Sequence, residues 1–122
     1  MVKVLIADDL SEKAIQILRE NDISFDIKTG LKQEELIRVI KDYDALIVRS
    51  ATKVTKDVIE SAEKLKIIGR AGIGVDNVDV GAATQKGVIV MNTPQGNALA
   101  AAEHTIGLIF AAARRIAQAD RT

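Results

Sequence analysis

The sequence predicts a doubly wound α/β domain: a five-stranded parallel sheet in the order 2-1-3-4-5, with helices on both faces. Two observations carry this. Short apolar runs rich in β-branched residues occur five times, and each is followed by a stretch with helical spacing. The runs lack polar alternation, so both of their faces are expected to be buried, as in a parallel strand covered on two sides. A length of 122 residues suits one such core.

Residues 2–7 read as the first strand, ending on Asp8-Asp9. Residues 11–20 follow as a helix with Ala14, Ile15 and Leu18 on one face. Residues 24–28 form the second strand, stopped by Thr29-Gly30, and 32–41 the second helix, with Leu36, Ile37 and Ile40 turned inward. The third strand, 45–48, ends at Arg49-Ser50. Thr55 is placed to N-cap a third helix that buries Val58, Ile59 and Ala62. A fourth strand is expected over 65–68, entering a loop with Gly69, Gly72 and Gly74. Asp79 caps a fourth helix around Ala82-Ala83, and Gly87 supplies its left-handed end. Residues 88–91 are the fifth strand. The turn 92–97 carries the sole proline, Pro94, and 98–117 reads as a long last helix, apolar on most sides.

Composition narrows the function classes. Seventeen basic and 17 acidic side chains cancel, which argues against nucleic acid or an acidic membrane as partner. No cysteine is present, so disulfides and thiol chemistry are excluded, and one histidine makes a histidine metal site a poor expectation. The opening MVKVLIADD is too short and acidic for a signal peptide, and the apolar run 105–113 is too short to span a bilayer. The expectation is a soluble, cytoplasmic protein.

All strand carboxyl ends of a parallel sheet lie on one edge, where ligands bind. That edge is expected to carry Asp8, Asp9, Thr29, Arg49, Ser50, Gly69, Arg70, Asn92 and Thr93. Strands three and four are neighbours, so Arg49 and Arg70 are expected to converge on one pocket, suited to a carboxylate or phosphate. The glycines after Arg70 let an anion approach backbone amides. They do not form the dinucleotide fingerprint: Gly72-x-Gly74 is followed by Asn77 where a third small residue belongs, and the loop follows the fourth strand. Asp8-Asp9 reads as a turn or helix cap, with a divalent cation as the alternative. His104, beside Glu103, reads as structural.

At RSATKVT (49–55), GRAGIGVDNVD (69–79), MNTPQGN (91–97) and AAEHT (101–105) the sequence resembles the D-isomer-specific 2-hydroxyacid dehydrogenases. The resemblance implies a flavodoxin-like substrate-binding domain over 1–97. It also implies a helix over 98–122 that crosses to an NAD-binding Rossmann domain absent from this sequence. It implies that Arg49, Ser50 and Arg70 hold an acidic substrate, that amides near Gly72 and Gly74 face its carboxylate, and that Asn97 lies close by. Ile73 would stand at the nicotinamide boundary. The family's catalytic arginine, glutamate and histidine come later in the chain, so no catalytic residue is expected here and His104 is not the catalytic histidine. A chain of this extent is expected to be an inactive fragment that binds NAD at most weakly. The apolar helix over 98–117 is expected to support a homodimer.

Three other readings stand beside this one. A phosphoacceptor receiver domain shares the strand order and the acidic pair, but Arg49 and Asn92-Thr93 stand where it needs an aspartate and a lysine. A flavin module needs aromatic residues, and the chain has only Phe25, Tyr43 and Phe110. A purely structural folding unit without ligand affinity is the third.

Overall fold

The computed structural model describes residues 3–9, 12–20, 23–49, 51–70 and 76–92. Five strands alternate with helices: β1 Lys3–Ile6, α1 Glu12–Glu20, β2 Ser24–Ile27, α2 Gln33–Val39, β3 Ala45–Val48, α3 Lys56–Ser61, β4 Ile67–Arg70, α4 Val80–Lys86 and β5 Ile89–Asn92. All pairings are parallel and the order is β2-β1-β3-β4-β5, as the sequence predicts. The helix expected over 98–117, and the dimer through it, lie outside the described residues.

Strand alternation divides the apolar side chains into two cores. Leu5, Ala7, Leu46, Val48 and Ile68 face one side, where Leu36 of α2, Val58 and Ile59 of α3 and Ala83 of α4 cover them. Val4, Ile6, Ala45, Ile47 and Ile67 face the other, under Leu18 of α1. Helices thus lie on both faces. Truncating any of these fully buried leucines or isoleucines to alanine costs about 3 kcal/mol. The two-sided burial expected of every strand holds for β1, β3 and β4 only. The outer strands are half-exposed, with Ile27 at 51% and Ile89 at 47%, because an edge strand has only one neighbour to share cover with.

Local signals act where the sequence places them. Thr55 Oγ1 accepts from Val58 N–H at 3.4 Å, and Asp79 Oδ1 accepts from Ala82 N–H at 3.0 Å, each satisfying an otherwise unpaired first-turn donor. Gly87 closes α4 with φ +76°, a left-handed angle that a Cβ disfavours. The second helix does not run unbroken to residue 41. It tightens into a 3-10 turn, Ile40–Asp42, whose last carbonyl-to-amide bond (Tyr43 N–H to Ile40 O, 3.2 Å) turns Tyr43 into the core.

One boundary needs correction because it moves a site residue. The fourth strand is not 65–68 but Ile67–Arg70. Leu65 is buried, yet it packs as a loop residue, and pairing with β3 begins only at Ala45↔Ile67. Burial marked the apolar run; pairing sets the strand. Gly69 and Arg70 therefore belong to the sheet, and the pleat decides which way Arg70 points.

Candidate functional site

Among the described residues, polar groups of the carboxyl edge gather around Arg49 and Thr52, which follow β3. Asp8, only 6% exposed, reaches it from the end of β1. Its Oδ2 accepts from Arg49 N–H at 2.7 Å and Thr52 N–H at 3.1 Å, and its Oδ1 accepts from the Thr52 hydroxyl at 2.6 Å. Three donors on one buried carboxylate make it a loop-holding group. Among the described residues its bonds go to the segment after β3. Among the described residues no group of three or more His, Cys, Asp or Glu side chains is placed to hold a metal ion.

From the opposite side the same segment is held by Asn77. Its Nδ2 donates to Arg49 O and to Thr52 O, each at 2.6 Å, and its Oδ1 accepts from Arg70 Nε. The turn bearing Asn77 is itself stitched to residue 54: Val54 N–H donates to Asn77 O at 2.7 Å and Asp79 N–H to Val54 O at 2.9 Å, around the isolated bridge Val54↔Val78. Gln33, at the start of α2, adds a link to Lys53 O at 2.7 Å and accepts from the Thr55 hydroxyl at 3.0 Å. The loop after β3 is therefore pinned to β1, α2 and the 77–79 turn.

The two arginines are both at this edge, but among the described residues they line different clefts. Arg70, 8% exposed, faces a cleft of about 620 Å³ shared with Lys53, Lys56, Asp76 and Asn77. Arg49 is exposed and lines a second cleft of about 400 Å³ with Asp8, Asp9, Thr29, Gly30 and Ala51, its Nη1 donating to Asp9 O at 3.3 Å. Among the described residues the two clefts share no lining residue, and Asn77 joins them by bonding both Arg70 Nε and Arg49 O. Arg70 pairs with Val48 and so shares that residue's face of the sheet, whereas Arg49 lies one position past the end of β3. The second cleft sits beside β1 and β3, the switch point of this strand order, where doubly wound sheets bind ligands. Ser50, Gly72, Ile73, Gly74, Thr93 and Asn97 lie outside the described residues.

Asn77 is the site residue that sequence reasoning passes over. It stands out there only as the residue that spoils the dinucleotide fingerprint. Here an amide side chain at that position turns inward, onto Arg70 and two carbonyls.

Similarity to known proteins defines the class. Residues 4–119 match the family described as D-isomer specific 2-hydroxyacid dehydrogenase, catalytic domain, and the chain belongs to that family. Receiver and flavin-module readings end there. Among individual relatives, the chain is 54% identical over 121 residues to a D-3-phosphoglycerate dehydrogenase of Archaeoglobus fulgidus, covering 99% of this chain and 23% of that protein. It is 60% identical over 119 residues to that of Methanocaldococcus jannaschii, covering 98% and 22%. An NAD+-bound 3-phosphoglycerate dehydrogenase structure from Entamoeba histolytica superposes with TM-score 0.69 at 36% identity, over 75% of this chain and 32% of that one. The chain spans under a quarter of the length of these two curated relatives. No helix among the described residues is long and apolar enough to cross a membrane.

Proposed function

We propose that this chain is the substrate-binding part of an NAD-dependent D-3-phosphoglycerate dehydrogenase. Such an enzyme oxidises 3-phosphoglycerate to 3-phosphohydroxypyruvate, the first step of phosphorylated serine synthesis. The observation that carries the reading is the identity above 50% to enzymes of that name across nearly the whole chain. The chemistry of the edge supports it. Arg70 and Arg49 offer planar cationic forks, suited to the carboxylate and phosphate of a small anionic substrate. Substrate contacts in this reading come from Arg49, Ser50, Arg70, Gly72, Gly74 and Asn97, with Ile73 at the cofactor boundary. The chemistry NAD supplies is hydride acceptance, and in this reading the rest of such an enzyme holds it. This chain's part is to bind and orient the anion.

Two measurements test the reading. Titrating the 122-residue chain with 3-phosphoglycerate is expected to shift the amides of Arg49, Thr52, Arg70 and Asn77, with millimolar affinity, about −4 kcal/mol. Arg70→Ala abolishes the shifts. Mixed with NAD and 3-phosphoglycerate, the chain alone is expected to produce no NADH absorbance above a blank, since in this reading the acid–base residues and the NAD site belong to the rest of such an enzyme. Turnover by the chain alone overturns this division of labour. A second reading, a purely structural folding unit, is favoured by the burial and side-chain bonding of Arg70, which a core-edge arginine also shows. A flat titration at about 10 mM 3-phosphoglycerate, on the order of ten times the expected dissociation constant, decides for it.

A further inference from the structure

We propose that Asn77 is the positioning residue for Arg70, tying the orientation of its guanidinium to the loop that carries Arg49. The proposal rests on the substrate reading for the identity of the ligand, but not for the order of Arg70.

A carboxamide has one acceptor oxygen and two N–H donors, and at Asn77 all three are engaged. The carbonyl oxygens of Arg49 and Thr52 can only accept, so the NH2 group must face them, at 2.6 Å each. A guanidinium can only donate, so Oδ1 must face Arg70 Nε. The amide has one orientation that satisfies all of its partners. The loop it grips is itself held by Asp8 through the N–H groups of the same two residues. Loop position and Arg70 direction are thereby linked through one side chain, across the separation of the two clefts.

This arrangement acts on binding in two ways. Holding Nε fixes the plane of the guanidinium, so an anion does not have to bear the loss of rotamer freedom when it docks. The amide also does this without adding charge. An aspartate at 77 could accept from Nε equally well, but it would place a negative charge against the arginine and would lose both donors to the loop. An asparagine meets every requirement of this position, being neutral, with two donors and one acceptor.

The test uses the 122-residue chain and 3-phosphoglycerate as probe, with two variants. Relaxation of the Arg70 Nε–H signal reads its order without ligand; titration reads affinity. In Asn77→Ala the order parameter is expected to fall from about 0.8 to below about 0.6, and binding to weaken about tenfold. In Asn77→Asp, Arg70 stays ordered through the retained oxygen, while binding still weakens about tenfold. A merely structural role would lower the unfolding midpoint in both variants without separating them by Nε order. Arg70 as rigid in Asn77→Ala as in the unchanged chain, or as loose in Asn77→Asp as in Asn77→Ala, overturns the proposal. If Asn77→Ala does not fold, the aspartate variant alone decides: a loose Nε–H, or unchanged affinity, rejects the proposal. If the unchanged chain shows no shifts with 3-phosphoglycerate, the substrate reading fails, and the ligand-free relaxation still judges Asn77.

Discussion

The two ends of the sheet handle their polar side chains differently. At the carboxyl end, side chains bond mostly to backbone: Asp8 and Asn77 together make four bonds to the N–H and C=O groups of Arg49 and Thr52. At the amino end, side chains close largely on one another. Tyr43 donates to Asp26 Oδ2 at 2.6 Å, Lys3 Nζ lies 3.4 Å from the same oxygen, and that ammonium sits 5.0 Å from the centre of the Tyr43 ring. A cluster of the second kind only adds stability. A side chain of the first kind gives a loop its shape, and at this end the loop carries a site arginine. The Asp26 carboxyl is held below the usual carboxylate range, first by the Tyr43 hydroxyl and then by Lys3, against partial desolvation. Tyr43 is pushed well above its usual value by burial, with the Asp26 bond next.

The largest effect that can break this contrast is at Asp8. Asp8→Ala leaves two inward-facing N–H groups without their acceptor and is expected to cost about 3 kcal/mol, read from urea midpoints. Asp8→Asn keeps the size but sets an NH2 group among donors, for a loss of about 2 kcal/mol. A loss below about 1 kcal/mol for both would make the two ends equivalent. At the amino end, Tyr43→Phe removes one bond to a partly exposed carboxylate and should cost only about 1 kcal/mol.

Acid sharpens the difference further. Because folding lowers the Asp26 pKa, its stabilisation is fully present above the ordinary value of 3.8 and is lost as pH falls through the lower folded value. Stability of the unchanged chain should therefore fall more steeply below about pH 4 than that of Tyr43→Phe, in which the largest cause of the lowering is gone. Parallel curves would show that the hydroxyl does not set the carboxyl's pKa. The smallest effect is Lys3→Ala. Its ion pair with Asp26 is more than two-fifths exposed on each side, so about 0.5 kcal/mol is expected, shrinking in salt. A loss above about 1.5 kcal/mol would mean that the amino-end cluster is no ordinary surface pair.

How much of this is legible in the sequence depends on the range of the interaction. Elements defined by neighbours in sequence are readable: the Thr55 and Asp79 caps, the Gly87 stop and the apolar runs that become β1, β3 and β4. Strand order follows from chain direction and two-sided burial. The position of β4 is offset by two residues from its apolar run because Leu65 is buried without being paired. That offset hides the register Val48↔Arg70, and with it the sheet face that Arg70 shares with Val48. Asn77 is opaque for a different reason. Its partners lie 7, 25 and 28 residues away, and no local pattern announces a side chain that joins three segments. The one available hint is that a position where a dinucleotide loop needs a small residue holds an amide.

The place of β1 inside the sheet also shapes how the chain assembles. Lys3 pairs with Ser24 and Val4 with Ala45, so β1 has only one neighbour until β3, about 40 residues later, has been made. During that interval Val4 and Ile6, fully covered in the finished domain, line a half-built sheet with an open edge. Pairing between distant segments is slow, and an open apolar edge invites other chains. The order that puts Asp8 beside the loop after β3 thus makes the emerging polypeptide most prone to clumping before β3 docks.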